Sequence, residues 1–428
     1  LLQVRAITTK PNWNRAVARR IDATLQGVQA FVTERFKKLN NVYGETTLLG
    51  QMPDWNPVEM IGRAPRALAT SLYQTLITDH AWSSARESMG YAIPTGQPLM
   101  VTLAGQPFID TRLSFHSYLP NTISPTIAEK VINHWLAHLK ASPELHDKVE
   151  FEVAITTYSF DIDNKIERLI GDVLTNGEKE AFKQAHLKHT REIIIEGGDS
   201  SLGKALDKIK ILKDIQSKQN SREFPHSISS LFTMVSDCTQ YGTIPFSILA
   251  RHGFIAKTIL LSLCHLGIIT KDEVNQFQLT IQTVASDLVD DMHSLQLGEL
   301  TSTEFMLRYG HLRPGTYDIM SHRYDQMGGV SNGTIHPQQK GKIEIFRFSQ
   351  KQQQRVNALL AKDGFGDFQA DDLLNYMREA IIGREYAKFI FTRTVSDMLE
   401  LIADFSEENG LSRDEISHVP LNSIFDIV

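Results

Sequence analysis

Apolar residues recur at three- and four-residue steps through most of this chain, and that period constrains the fold more than any other feature. Over residues 13–40 they fall at Val17, Ile21, Leu25, Val28, Val32, Phe36 and Leu39. This is the stripe of a long amphipathic helix. Asn56 as N-cap, Pro57 at the first position and Glu59 at the third then open a helix over 57–63. Further helices are expected over 66–80 and 124–140, almost continuously over 165–310, and over 369–383 and 385–409. Breaks fall at Glu196–Gly203, Pro225 and Gly242–Pro245. Between 90 and 160 the pattern changes. Pro94, Gly96, Pro98, Gly105 and Pro107 punctuate Leu99–Leu103 and Phe108–Phe115, which read as strands, and Val149–Tyr158 alternates like another. Lys342–Phe348 can pair as one more. The expected fold is mainly α with a small antiparallel β insertion (α+β) at about 90–160.

Charge and cysteine content exclude some classes. A net charge of −6 argues against a nucleic-acid partner, while leaving room for a local basic patch. Cys238 and Cys264 sit in apolar helical runs and read as reduced core thiols of a cytoplasmic protein, not a disulfide or metal framework. No run of 18 or more apolar residues occurs, so no membrane span is expected. Leu1 stands where a Met would begin a whole protein, and a longer parent chain is expected.

Against this helical background one stretch cannot be helix. Tyr309–Tyr324 holds two His, two Arg, one Asp, two Gly and a Pro. His311 is a candidate proton carrier, with an ordinary pKa of about 6.5. Arg313 and Arg323 offer planar forks suited to phosphoryl oxygens, Asp318 could orient either type, and His322 lies alongside. The competing reading is a structural turn whose arginines pair with acids on neighbouring helices.

Other constellations are weaker. His134 and His138 share a helix face, but no complete ligand set accompanies them and no metal is expected. His186 and His189 look solvated among Lys and Gln. Gly197–Gly203 lacks the ending of a phosphate loop and reads as a helix connection. Asp290, Asp291, Glu299 and Glu304 could hold Mg²⁺ or pair with Arg308 and Arg313, and pairing is the simpler role. No serine nucleophile elbow is evident.

Three separated segments together resemble one family. Leu2-Gln3-Val4-Arg5-Ala6-Ile7-Thr8 resembles the strand that ends the ATP-grasp domain of phosphoenolpyruvate synthases and pyruvate phosphate dikinases. The 309–324 loop resembles a Gly-His-Arg-Gly-Pro-Gly stretch in the middle domain of rifampin-phosphotransferase-like relatives. Arg378–Phe389 with Asn422–Val428 resembles their helical tail before the swivelling domain, and Asp54–Tyr73 is similar to phosphoenolpyruvate synthase-like proteins. Ala6, Leu312-Arg313, Thr316 and His322-Arg323-Tyr324 depart from the family pattern and argue against a rifampin substrate.

The resemblance implies that residues 1–12 are the terminal strand of a truncated ATP-grasp domain and 13–428 a mostly helical central domain. It implies that Gln3 and Arg5 contact ATP and Mg²⁺ in the full-length enzyme, with no cofactor expected for this chain alone. Its catalytic candidates are His311, Arg313, Asp318 and Arg323, and its substrate-binding candidates are Asp54, Asn56, Arg63, Arg66 and His322. The implied function is the acceptor-binding part of a dikinase-type phosphotransferase. Its partners would be the grasp and swivelling phosphohistidine domains of the same polypeptide and a small-molecule acceptor, without nucleic acid or membrane. The alternative is a noncatalytic helical linker that docks those domains.

Overall fold

The computed structural model describes residues 10–51, 55–94, 96–195, 201–220, 227–327 and 344–427. Helix α1 (Lys10–Arg35) precedes strand β1 (Leu49–Gly50) and helices α2 (Pro57–Ile61), α3 (Ala67–Tyr73) and α4 (Ala81–Ser88). Strands β2 (Met100–Leu103) and β3 (Gln106–Asp110) follow, then α5 (Thr111–His116), α6 (Pro125–Ala141) and α7 (Ile162–Ile170). The helical body continues with α8 (Asn176–Ile195), α9 (Ser201–Asn220), α10 (Leu231–Asp237), α11 (Ile244–His265) and α12 (Lys271–Leu279). It closes with α13 (Val284–Leu297), α14 (Ser302–Tyr309), α15 (Gln350–Lys362), α16 (Ala370–Glu408), α17 (Arg413–Ile416) and α18 (Leu421–Phe425). Among the described residues the fold is mainly α with one small antiparallel sheet, as the periodicity implies.

That sheet has the order β1-β3-β2, with Leu49 opposite Asp110 and Met100 opposite Ile109. One strand thus comes from residues before the 90–160 insertion. The strand expected over Phe108–Phe115 stops at Asp110, because the Asp110 carboxylate accepts from the backbone N–H groups of Arg112 and Leu113 and caps α5. Val149–Tyr158 is not a strand either. Val149–Val153 forms a π-helical turn, and Val153 through Ser159 are all buried, so no face alternates with solvent. Residues 344–348 are irregular, though Phe346 and Phe348 pack into the core; Lys342 lies outside the described residues.

Two expected interruptions do not interrupt. Gly242 and Pro245 lie in a helical run from Ile228 to His265, where a π turn at Cys238–Thr243 absorbs the irregularity and Pro245 falls in the first turn of α11. Gly383 sits inside α16, a single 39-residue helix, because a Cβ there would stand 3.2 Å from Leu206 and Leu249. The missing side chain lets α9 and α11 close on α16, and these three helices form the centre of the core. By length and composition Ile228–His265 could cross a membrane, but 78% of its most apolar window is buried inside the protein. Cys238 is buried, Cys264 half-buried, and both are free thiols.

Helix α1 differs from the other long helices. Its apolar stripe is exposed, with Ile21 at 53% and Leu25 at 62%. Its C-terminal end is tied down, where Arg35 donates to Asp110, Gln97 and the Pro98 carbonyl at 2.5–2.9 Å.

Candidate functional site

The 309–324 loop is a hydrogen-bonded cap on α16. The N–H of Gly315 donates to Ser321 Oγ at 3.0 Å, and the N–H of Met320 to Asp318 Oδ1 at 3.0 Å. Arg313 is buried and uses every nitrogen: Nε reaches Ser396 Oγ, Nη1 the carbonyls of Asp318 and Ser321, and Nη2 the Ser396 carbonyl and Glu400. Arg323 is paired in the same way, with Asp397 at 2.7 Å and both oxygens of Asp325. Arg393 donates to the carbonyls that end α14, those of Leu307 and Arg308. Asp318 and His322 are exposed, and the Asp318 carboxylate binds its own turn.

His311 lies beneath this network, 2% exposed, its ring edge-on to Phe389 with centroids 4.9 Å apart. Burial, with Arg393 and Arg323 nearby, pushes its imidazole down to about 3. The near-neutral proton exchange expected of an ordinary histidine is therefore not what this position provides: its ring stays neutral. The loop brings His311, Arg313 and Arg323 together on α16, but turns their polar atoms inward.

The 54–66 candidates divide. Asp54, like Gln3 and Arg5, lies outside the described residues. Asn56 caps α2 as expected, accepting from the Glu59 N–H at 3.2 Å, while Glu59 returns to the Asn56 side-chain amide instead of its backbone. Arg66 bolts α3 to α17 through Asp414 and Ser417, both at 2.7 Å. Arg63 is exposed. The remaining expected clusters resolve into structure. Asp291 takes Arg308 and the Tyr309 hydroxyl at 2.8 Å, whereas Arg313 goes to Glu400. His186 and His189, expected on a solvated face, are buried, because α8 turns that face onto α4 and the core; His189 reaches the Met89 carbonyl at 2.7 Å. Among the described residues no three His, Cys, Asp or Glu side chains gather as a metal site.

A cleft of about 270 Å³ opens between α2, the π turn before Ala154, α11 and α16. It is lined by Trp55, Phe246, Phe254 and Phe391, with Asn56 at its edge. Trp55 meets Phe246 edge-on at 6.3 Å, Phe246 meets Phe391 at 4.9 Å, and Phe151 lies 5.9 Å from Phe254. Arg86, 2% exposed, presents its guanidinium to Trp55 and Tyr91, and Arg384 sits 5.3 Å over Phe254. Lys388 follows one turn after Arg384 on α16. Aromatic walls with a few charged groups are the usual composition of a small-molecule site. Neither His311 nor Arg313 lines it.

The sequence reading missed most of this cleft, since its walls come from four distant segments. Arg384 and Lys388 carried a signal all the same: two cations at i and i+4 in a helix that is otherwise apolar on its inner face. A second missed feature is a chain from Ser201 Oγ to His252 Nε2 at 2.8 Å, and from His252 Nδ1 to the Tyr376 hydroxyl at 3.0 Å. Burial pushes His252 down to about 3, so it is a poor base, and the chain serves to bolt α9 to α11 and α16. Compared with known proteins, the chain matches no family model, no curated protein and no solved structure.

Proposed function

We propose that this chain is the central, acceptor-binding and scaffolding part of a cytoplasmic, ATP-dependent, dikinase-type phosphotransferase. In that reading it works with a grasp domain and a swivelling phosphohistidine domain of the same polypeptide, and its acceptor sits in the cleft beside Trp55, not at the 309–324 loop. The observation that carries the choice of cleft is the state of the cations. Arg384 and Lys388 face an aromatic cavity without a hydrogen bond or ion pair to any described residue, whereas Arg313 and Arg323 are committed to protein oxygens. Positive side chains that are not already spent can hold an anionic acceptor in place for the incoming phosphoryl group.

The test uses the full polypeptide, with its phosphohistidine labelled from ATP and then discharged onto a small-molecule extract. Arg384→Gln with Lys388→Gln is expected to slow the discharge by roughly a hundredfold, the scale of one or two lost charge-stabilising donors. Labelling from ATP should persist at the wild-type rate. The second reading, a noncatalytic docking module, is favoured by the internal saturation of Arg313. It holds if discharge is unchanged in the double variant.

A further inference from the structure

The cleft beside Trp55 carries charges of both signs. On α16 the order is Arg384, Glu385, then Lys388 one turn later, and Asp147 faces them from the segment before the π turn at Val149. None of these four side chains makes an ion pair or hydrogen bond with a described residue, although all line one cavity. The other charged groups facing the cleft are engaged. Glu59 holds the Asn56 amide, Arg86 stacks between Trp55 and Tyr91, and Glu150 has an interaction of its own.

Opposite charges that share a cavity of this size and do not meet each other are available to a ligand between them. An ammonium fits the carboxylates of Glu385 and Asp147, and a carboxylate fits the guanidinium of Arg384 and the ammonium of Lys388. The cavity interior is aromatic. Phe254, already covered on one face by Arg384, together with Phe246 and Trp55 offers ring edges and faces for one planar group. A purely apolar ligand would leave the four charges without a role, and a simple anion would leave two.

We propose that this cleft binds an aromatic zwitterion of the amino-acid type, its ring among Trp55, Phe246 and Phe254 and its two charges divided between Arg384/Lys388 and Glu385/Asp147. The proposal rests on the reading of this cleft as the acceptor site and narrows the acceptor to that class. It concerns binding alone, so it is measured on this chain without ATP or carrier domain. A failure of phosphoryl transfer in the full polypeptide leaves it standing.

Four probes share one ring and differ only in charge: L-tyrosine, 3-(4-hydroxyphenyl)propanoate, tyramine and 4-ethylphenol. Calorimetry on the chain is expected to rank L-tyrosine first, with each singly charged probe up to about fivefold weaker and 4-ethylphenol weakest, the scale of an exposed charge contact. Arg384→Gln with Lys388→Gln should bring L-tyrosine down to the affinity of tyramine and leave tyramine unchanged. Glu385→Gln should do the converse, bringing L-tyrosine toward the propanoate. These exposed or half-exposed positions test the site without disturbing the core. Equal affinity for all four probes, no binding of any, or insensitivity to both variants overturns the assignment.

Discussion

The guanidinium of Arg313 donates to Oε1 of Glu400 at 2.7 Å, while Arg413 donates to the other oxygen of the same carboxylate at 2.6 Å. Glu400 therefore joins the 309–324 loop to α17 through α16, with Gln326 as a third donor at 2.7 Å. Burial alone would raise the Glu400 carboxyl, but hydrogen bonds from Arg413, Gln326 and Arg313 hold it at about 2. Removing Arg313 leaves Glu400 with Arg413 and Gln326, but takes the donor from Ser396 and from the carbonyls of Asp318 and Ser321, at a cost of about 1–3 kcal/mol. Arg313→Ala is expected to destabilise by that order in urea unfolding. Arg313→Lys should recover only part, because one ammonium cannot reach five acceptors. Wild-type stability in Arg313→Ala would mean that the pair does not hold the loop.

Buried histidines set the response to acid. His311 and His252 are pushed down to about 3, His116 and His189 to about 4, and His186 well below its ordinary value, in each case first by burial. A folded pKa below the unfolded one means that the unfolded chain takes up the proton first. Stability is then complete above about pH 6.5 and declines as pH falls from there toward the folded values, by at most about 1.4 kcal/mol per pH unit for each ring. Unfolding free energy is expected to be lower at pH 5 than at pH 7. His311→Gln should reduce that slope by one proton's worth in a pH series of urea melts. A flat stability between pH 7 and 5 would contradict the burial of these rings.

Gly242 marks where α9 and α16 crowd the π turn. A Cβ there would stand 2.9 Å from both Leu212 Cδ2 and Phe391 Cβ. Gly242→Ala is expected to destabilise by about 1–3 kcal/mol through overpacking, despite the better helix propensity of alanine. Leu212→Ala in the same chain should relieve part of that strain, read as a positive coupling in a thermal-melt double-mutant cycle.

Much of this helical body was legible from period alone, because a stripe at three- and four-residue steps matches the pitch of a helix, even in α1, where the stripe is not buried. The Asn56 cap followed from local chemistry that needs no distant partner. What escaped were features decided by tertiary contact. Gly242 and Gly383 look like breaks until Leu212, Leu206 and Leu249 are seen against them. Val149–Tyr158 alternates in sequence, yet all of Val153–Tyr158 is buried, so alternation carried no information there. The loop at 309–324 was found as a special segment. Whether its arginines face ligand or protein depends on Glu400, Asp397 and Ser396, more than seventy positions away.

Asp110 couples the sheet to two helices at one buried carboxylate. One oxygen takes Arg35 Nε at 2.5 Å; the other takes the Thr47 hydroxyl at 2.6 Å and the N–H groups that begin α5. Arg35 is the last residue of α1, whose preceding turns are largely exposed, so this contact is a main anchor of that helix. Arg112 lies beside it and donates to the carbonyls of Arg35 and Lys37 at 3.0 Å, which fixes the same junction from the other side. Asp110→Asn keeps the volume and an acceptor oxygen for the helix cap, but withdraws the charge that Arg35 and Arg112 share. The expected cost is about 3 kcal/mol or more, most of it from leaving a buried guanidinium uncompensated. Hydrogen exchange separates this from a general loss of stability. Amides near the end of α1, in residues 30–35, should lose protection well before those of α11 and α16. If α1 keeps its wild-type protection in Asp110→Asn while the whole protein weakens, Asp110 supports the sheet and α5 only, and α1 is anchored by the Arg112 contacts to its carbonyls.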